Sequence, residues 1–488
     1  MLPQRREKYM KNKRKTLVGL SLAGLLLFSA GCTGSGNGGN KTNSLDPKDY
    51  VSARKFVTMA DLPPNPFDSL EEYASLGFSG YILTQDYCDF TENGKITEKY
   101  KEAIKNAGKA GLDVYIRNHY NDPDYFVNED DTTKRDKYNA GESIGNYYTI
   151  PKRNVTTEFG KMPEVKGFYM ADEPVYDNIK DYGKLIEWYN TYYSETSYFH
   201  MNLLPSYATP KMLSYHNYGE YVEEFIDKIV KNVKGRKSVC LDNYPFTEQQ
   251  PNEIRYSYLS DLLLVAQANK AYNEAAATGD EGVYGICVQT FSNPTQTDIS
   301  SKEMVSFQLV TGMAMGAKLF EYFAYNSAPS VGIYGIMNDG EKRIYEHVKA
   351  ANDAYLGFYE VLNAFEWQGV KTFSAADETN SENAEAFEAV SDITIRNTGV
   401  LDAGKSSARL DAIAGCFKKG DRDGYMFVNY SVPMRGRSNT LTLRFTGCSE
   451  ALVYTGGANG MKSEKVKLAE GTLRLNLGAG EGAFVIPA

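Results

Sequence analysis

The chain is poor in tryptophan, with two residues against 37 tyrosines, and holds only four histidines and six cysteines among 488 residues. His119, His200, His216 and His347 fall at no metal-ligand spacing, which sets zinc chemistry aside. There is no Cys-x-x-Cys pair. Cys88, Cys240, Cys287, Cys416 and Cys448 are far apart, and neither a zinc ribbon nor a dithiol redox motif follows from them. Cys240 and Cys287 lie in apolar runs and are expected as buried thiols, while the sequence leaves open whether Cys416 and Cys448 pair. No basic block recurs after the N-terminus and the formal charge is -9, which argues against nucleic acid as a partner. No glycine-rich phosphate loop follows an early strand, and no internal repeat is visible. Neither a metal nor an organic cofactor is expected.

The N-terminus carries the clearest local signal. A basic segment, Arg5, Arg6 and Lys8 through Lys15, precedes twelve apolar-rich residues from Leu17 to Phe28, and Ser29-Ala30-Gly31-Cys32 follows. This is the pattern of a secretory signal with small residues at its cleavage site. Twelve residues are too few to span a bilayer comfortably, and no later run is long and apolar enough to do so. Ending in Ala-Gly-Cys, the segment resembles a bacterial lipoprotein signal, with Ser29 where leucine is usual. The resemblance implies lipidation at Cys32 and a membrane-anchored, extracytoplasmic chain. Residues 33–50, rich in Gly, Ser and Asn, read as a flexible linker from the membrane surface.

Beyond the linker, strand-like and helix-like runs alternate. Apolar segments at 55–61, 80–86, 113–119, 165–171, 198–203, 238–244, 283–289 and 318–325 are separated by helical patterns, among them 69–76, 97–110, 179–193 and 254–277. Eight such alternations predict a (β/α)8 TIM barrel over 51–366, ending in a long helix at 341–365. The polar residues fall where a barrel gathers its site, at strand carboxyl ends. They are Asp61, Asp86, Asn118 with His119, Asp172 with Glu173, Asn202, Asp242 with Tyr244, Gln289 and Glu321. Alternating apolar runs with Gly and Asn turns then predict a C-terminal antiparallel β-sandwich domain over 367–488.

The central stretch is 165–174, Val-Lys-Gly-Phe-Tyr-Met-Ala-Asp-Glu-Pro: a buried parallel strand closed by two carboxylates and a proline. A carboxylate pair before proline also suits the start of a helix. The run 313–323, Met-Ala-Met-Gly-Ala-Lys-Leu-Phe-Glu-Tyr-Phe, leads from a helix into an aromatic eighth strand. With these two motifs and the following β-domain, the chain resembles (β/α)8 glycoside hydrolases of the clan with a catalytic Glu after strand four, most of all the family-42 β-galactosidase-like branch.

The resemblance implies that Glu173 is the acid/base, and glycoside cleavage needs a second carboxylate about 5–5.5 Å away in retaining enzymes, further off in inverting ones. The clan's nucleophile ends strand seven, where this chain has Gln289 and no acid. Two substitutes stand nearby. Glu321 shares side-chain parity with Phe323 and Tyr325, which points all three toward the barrel axis, and Asp242 ends strand six. Each also has a structural alternative, Glu321 as the partner of an interior cation and Asp242 as an orienting group for Tyr244. Asp172, Asn118, His119, Tyr244, Gln289 and Tyr325 are the candidate sugar contacts, and the abundant tyrosines suit sugar rings as well as cores. The expected partner is an oligo- or polysaccharide with β-linkages. A glycan-holding barrel that has lost its strand-seven nucleophile is the alternative, and a solute-binding lipoprotein would need two similar lobes rather than one eightfold alternation.

Overall fold

The structure, a computed structural model, describes residues 45–84, 91–92, 95–117, 159, 161–193, 197–249, 253–255, 257–373, 390–397, 411–445 and 447–488. Cys32, the linker up to residue 44, Asp86, Cys88, Asn118 and His119 lie outside the described residues.

Eight parallel strands form one sheet: β1 (Val57–Ala60), β2 (Gly80–Leu83), β3 (Asp113–Ile116), β4 (Val165–Ala171), β5 (Tyr198–Leu203), β6 (Arg236–Leu241), β7 (Gly282–Gln289) and β8 (Leu319–Phe323). The order is β1-β8-β7-β6-β5-β4-β3-β2, so every strand beyond β1 neighbours its sequence neighbour and β1 returns to β8. At the seam the Ser79 N–H donates to the Thr58 carbonyl at 2.9 Å and the Thr58 N–H to Ser79 Oγ at 3.0 Å, which joins β1 to the start of β2. The predicted (β/α)8 barrel is the observed one. Its strands are buried on both faces, the reason they read as near-continuous apolar runs.

The cylinder is filled rather than hollow. Met59, Ile82, Tyr115, Tyr169, Tyr198, Cys240, Val283, Cys287 and Leu319 pack together along its axis. Tyr115 occupies space that only glycine leaves: a Cβ on Gly167 would meet its ring at 2.6 Å, and one on Gly80 at 2.9 Å. Helices α1 (Glu71–Ser75), α2 (Glu98–Lys109), α3 (Gly183–Tyr192), α4 (Tyr218–Phe225), α5 (Tyr258–Ala275), α6 (Lys302–Ala314) and α7 (Tyr345–Tyr355) cover the outside. The expected helix at 179–193 begins as a 3-10 stretch, Tyr176–Tyr182, before α3. That at 341–365 is interrupted at Leu356–Phe358, around Gly357.

From residue 366 onward, the described residues form nine antiparallel strands: β9 (Glu366–Phe373), β10 (Val390–Asn397), β11 (Ala412–Lys419), β12 (Arg422–Asn429), β13 (Asn439–Phe445), β14 (Glu450–Thr455), β15 (Lys462–Lys467), β16 (Thr472–Leu477) and β17 (Gly482–Pro487). They form a six-stranded sheet, β9-β11-β12-β17-β14-β15, and a three-stranded sheet, β10-β13-β16. Phe373, Tyr425, Phe427, Leu441, Leu443 and Leu475 are among the residues that fill the space between them, as in a β-sandwich. The other face of the larger sheet, with Ile413, Phe417, Met426, Val428 and Phe484, joins the core of the barrel domain.

That second contact explains two sequence features. Helix α6 is buried on every side from Met304 to Ala314, which removes the amphipathic stripe of an ordinary barrel helix. Its small C-terminal residues are a docking point: Trp367 Nε1 donates to the Ala314 carbonyl at 2.9 Å, and a Cβ on Gly415 would lie 2.1 Å from that same oxygen. The Met-Ala-Met-Gly-Ala run therefore has a packing role here, independent of any chemistry. No disulfide is formed among the described cysteines, and Cys240 and Cys287 are buried thiols as expected. Among the described residues no helix is long and apolar enough to cross a membrane.

Candidate active site

Strand β4 stops at Ala171, and the two carboxylates that follow do not cap a helix. The next helical turn begins at Tyr176, with Val175 at its cap and no side chain closing it. Instead the chain turns sharply at Glu173, whose φ of 48° lies in the left-handed region. For a side-chain-bearing residue directly before proline this conformation is costly, on the order of 1–3 kcal/mol. Two contacts hold it: the Glu173 N–H donates to the Asn202 carbonyl at 3.1 Å, and the Tyr221 hydroxyl donates to the Pro174 carbonyl at 3.0 Å. The turn places Asp172 and Glu173 at the carboxyl end of the barrel in different surroundings.

Asp172 belongs to an inner network. Arg117, the residue after β3, bonds Asp61 Oδ1 through Nη1 at 2.5 Å and Asp172 Oδ2 through Nη2 at 3.1 Å. Its guanidinium lies 4.2 Å from the centroid of the Tyr169 ring. The Tyr169 hydroxyl donates to Asp172 Oδ1 at 3.1 Å, and Asn202 Nδ2 reaches that hydroxyl at 2.7 Å. Arg117 thus spans two carboxylates from one planar fork, which a lysine cannot do.

Deeper still, His200 Nε2 lies 2.7 Å from Glu321 Oε2, and His200 Nδ1 lies 2.7 Å from Ser238 Oγ. The Ser238 oxygen already accepts the Met201 N–H at 3.2 Å. With the Ser238 proton given to Nδ1, the neutral ring presents Nε2–H to Glu321. Burial pushes His200 down to about 3 and holds it neutral. Burial likewise raises Glu321 to about 7, against the pull of its hydrogen bond with Asp61. Asp61 is raised well above its ordinary value, first by burial, against the pull of Arg117 and with the charge of Glu321 adding to the rise.

Glu321, one of the two candidates for the second catalytic carboxylate, is the deeper of them. Its side chain is 1% exposed and is bonded to His200, so it lies beneath the open mouth rather than in it. Its inward parity was read correctly, but it sits mid-strand, level with Met59 and Cys287. Two sugar contacts are corrected. Gln289 is fully buried: its Oε1 accepts the Phe246 N–H at 3.1 Å, and its Nε2 donates to the carbonyls of Phe246 at 3.0 Å and Thr297 at 3.1 Å. No part of that amide is left for a ligand. Tyr325 follows the end of β8, where strand alternation no longer holds, and packs edge-on against Tyr73 on the outside of the barrel.

The outer part of the mouth holds Glu173 and Asp242. Both are half-buried. Burial, then the charge of Asp172, raises Glu173 to about 8. Asp242 is raised well above its ordinary value by burial and then by Glu173, the leading charge acting on it. A hydrogen bond with Tyr244 opposes that shift and favours the Asp242 anion. Tyr244 lies two residues beyond Asp242, with its ring against Phe291 and near Phe323. The structure thus brings together Asp172, Glu173, Asp242 and Tyr244 at the mouth, with Glu321 below them and Gln289 and Tyr325 withdrawn.

Arg117, His200 and Tyr207 were not singled out from sequence. For Arg117 and His200 a signal existed, a cationic or titratable residue flanking or interrupting an apolar strand. Tyr207 lies in a Pro-Ser-Tyr-Ala-Thr-Pro loop and gave none.

No protein-family model matches the chain, and no curated protein matches it. Among solved structures it is similar to a GH30 endoxylanase from Clostridium papyrosolvens C71, with 11% identity, 89% of this chain and 96% of that one covered, and a TM-score of 0.41. A family 44 xyloglucanase from Paenibacillus polymyxa has 9% identity, coverage of 90% and 97%, and a TM-score of 0.42. The catalytic module of a family 98 glycoside hydrolase from Streptococcus pneumoniae has 8% identity, coverage of 88% and 98%, and a TM-score of 0.38. Likenesses this distant assign no chemistry, and the functional reading rests on the residues at the mouth.

Proposed function

We propose that this chain is a glycoside hydrolase that cleaves β-linked saccharides, with Glu173 as the acid/base and Asp242 as the second carboxylate. The observation that carries the reading is Glu173 itself: a strained, left-handed residue at a barrel strand end, braced on both sides, whose charge acts on the carboxyl of Asp242. Strain of this kind persists where the surrounding structure enforces it, and it concentrates at working sites. Two carboxyls in mutual reach cannot both ionise freely, so their protons leave in separate steps. Burial holds both carboxyls above their ordinary values, and the one influence opposing it, from Tyr244, acts on Asp242 and not on Glu173. That division supplies a proton donor for the leaving oxygen and an anion for the anomeric carbon or its attacking water. Arg117 and Asn202 hold Asp172 and Tyr169 in place. The membrane anchor at Cys32 belongs to the same proposal: metabolic labelling with a radioactive fatty acid should mark the wild-type chain and not Cys32→Ser.

Turnover of a panel of 4-nitrophenyl β-glycosides tests the reading. Asp242→Asn should lower kcat by about 10³-fold or more on whichever member is cleaved, in line with loss of a reacting group. Restoration of its turnover by azide, with a glycosyl azide as product, would identify Asp242 as a nucleophile. Undiminished turnover in Asp242→Asn, with loss in Glu321→Gln, would hand the role back to the deeper residue. A second reading, a glycan-holding barrel without turnover, is favoured by Gln289 at the position where the clan has its nucleophile. Tight glycan binding with no hydrolysis by the wild-type chain would establish it.

A further inference from the structure

Tyr207 is a large aromatic residue that remains 39% exposed although its loop is held firmly. Its hydroxyl accepts the Tyr244 N–H at 3.3 Å, two residues from Asp242. One face of the ring is covered by the Arg255 guanidinium, 3.6 Å from the ring centroid. Arg255 is itself fixed to the loop after β6: its Nε donates to the Tyr244 carbonyl at 2.9 Å and its backbone N–H to the Pro245 carbonyl at 2.8 Å. Buried Asp261 of α5 ties both loops to one point, accepting the Ser206 N–H at 3.2 Å and Asn243 Nδ2 at 2.7 Å. The ring is therefore preset, with one face covered by a cation and the residue still part-exposed, at the loop that carries Asp242. Both Asp242 and Glu173 are close enough to disfavour ionisation of its phenol.

We infer that Tyr207, backed by Arg255, is a stacking platform for a pyranose ring, a subsite that takes a sugar unit adjoining the one held at Glu173 and Asp242. A flat amphipathic ring matches the C–H face of a sugar, and fixing it beforehand removes the entropy cost of ordering it on binding. The cation behind the ring keeps water from that face and holds its plane. The subsite favours chains of several sugar units over monosaccharide glycosides. The inference rests on the mouth binding a glycan, and it applies whether or not turnover follows.

The test uses Glu173→Gln, in which hydrolysis is blocked, and isothermal titration with cellohexaose, xylohexaose and a β-1,4-galactohexaose in turn. For the oligosaccharide that binds, adding Tyr207→Ala should weaken Kd at least tenfold, and adding Tyr207→Phe by less than threefold, because Phe keeps the plane. Tyr207→Leu, which keeps bulk without the flat face, guards against a folding defect and should behave as Tyr207→Ala does. Equal affinity in Tyr207→Ala and the parent overturns the platform and leaves the hydrolase reading standing. Failure of every hexasaccharide to bind the parent overturns both.

Discussion

Glu173→Gln is expected to lower kcat by about 10²–10⁴-fold on substrates with poor leaving groups, the usual worth of a positioned general acid. The loss should shrink for a 2,4-dinitrophenyl glycoside, whose leaving group departs without a proton. An equal loss across leaving groups would remove Glu173 from the acid role. The pH dependence has a definite sign. With Glu173 raised to about 8, the acid is protonated below that pH, and turnover should fall as pH rises through it. Stability moves in the same direction: the folded chain binds this proton more tightly than the unfolded chain, whose Glu titrates near its ordinary value of 4.5. Folding stability is therefore fully present below about pH 4.5 and declines as pH rises toward 8. Glu173→Gln carries no charge to bury, so it should melt at a higher temperature than wild type at pH 8.5 and at the same temperature near pH 4.5. A variant that is less active yet more stable, with a gap that closes on acidification, is a signature that an ordinary surface glutamate does not give.

Much of this fold was legible because a parallel barrel strand is apolar on both faces and ends at a polar residue. All eight barrel strands carry that pattern, and the register follows their order. What escaped was structure with a different pattern. Strand β15 is Lys-Ser-Glu-Lys-Val-Lys, an edge strand of the larger sheet whose charge hides it from a hydrophobicity reading. At the site, the sequence placed Asp172, Glu173, Asp242 and Tyr244 at the mouth because a strand end sets position along the barrel axis. It failed on depth and direction. Alternation puts Glu321 inside the barrel but cannot say that it lies mid-strand under a histidine, and beyond Phe323 it no longer governs Tyr325. The platform at Tyr207 depends on a loop conformation fixed by Asp261, which lies 54 positions further along the chain.

Gln289 gives the second large effect. If the strand-seven residue were a degraded nucleophile in an otherwise intact site, Gln289→Glu would restore or raise hydrolysis. The geometry leads to the opposite expectation. The Gln289 Nε2 donates to two backbone carbonyls, Phe246 and Thr297, and its Oε1 accepts a backbone N–H. A glutamate can present at most one proton to those carbonyls, and only while it is neutral. At least one buried carbonyl loses its donor, and ionisation would set an anion against two carbonyl oxygens in a site sealed from water. A lost buried partner costs about 1–3 kcal/mol, and the added carboxyl brings the expected total to about 2–4 kcal/mol. Gln289→Glu should therefore unfold at a lower urea concentration, more so at pH 8 than at pH 5, where the new acid is more readily protonated, with no gain in turnover. Phe246 lies in the same loop as Asp242 and Tyr244, so loosening its tie should lower activity as well. A tenfold rise in kcat in Gln289→Glu would show that this side chain reaches the substrate, and would return strand seven to the chemistry.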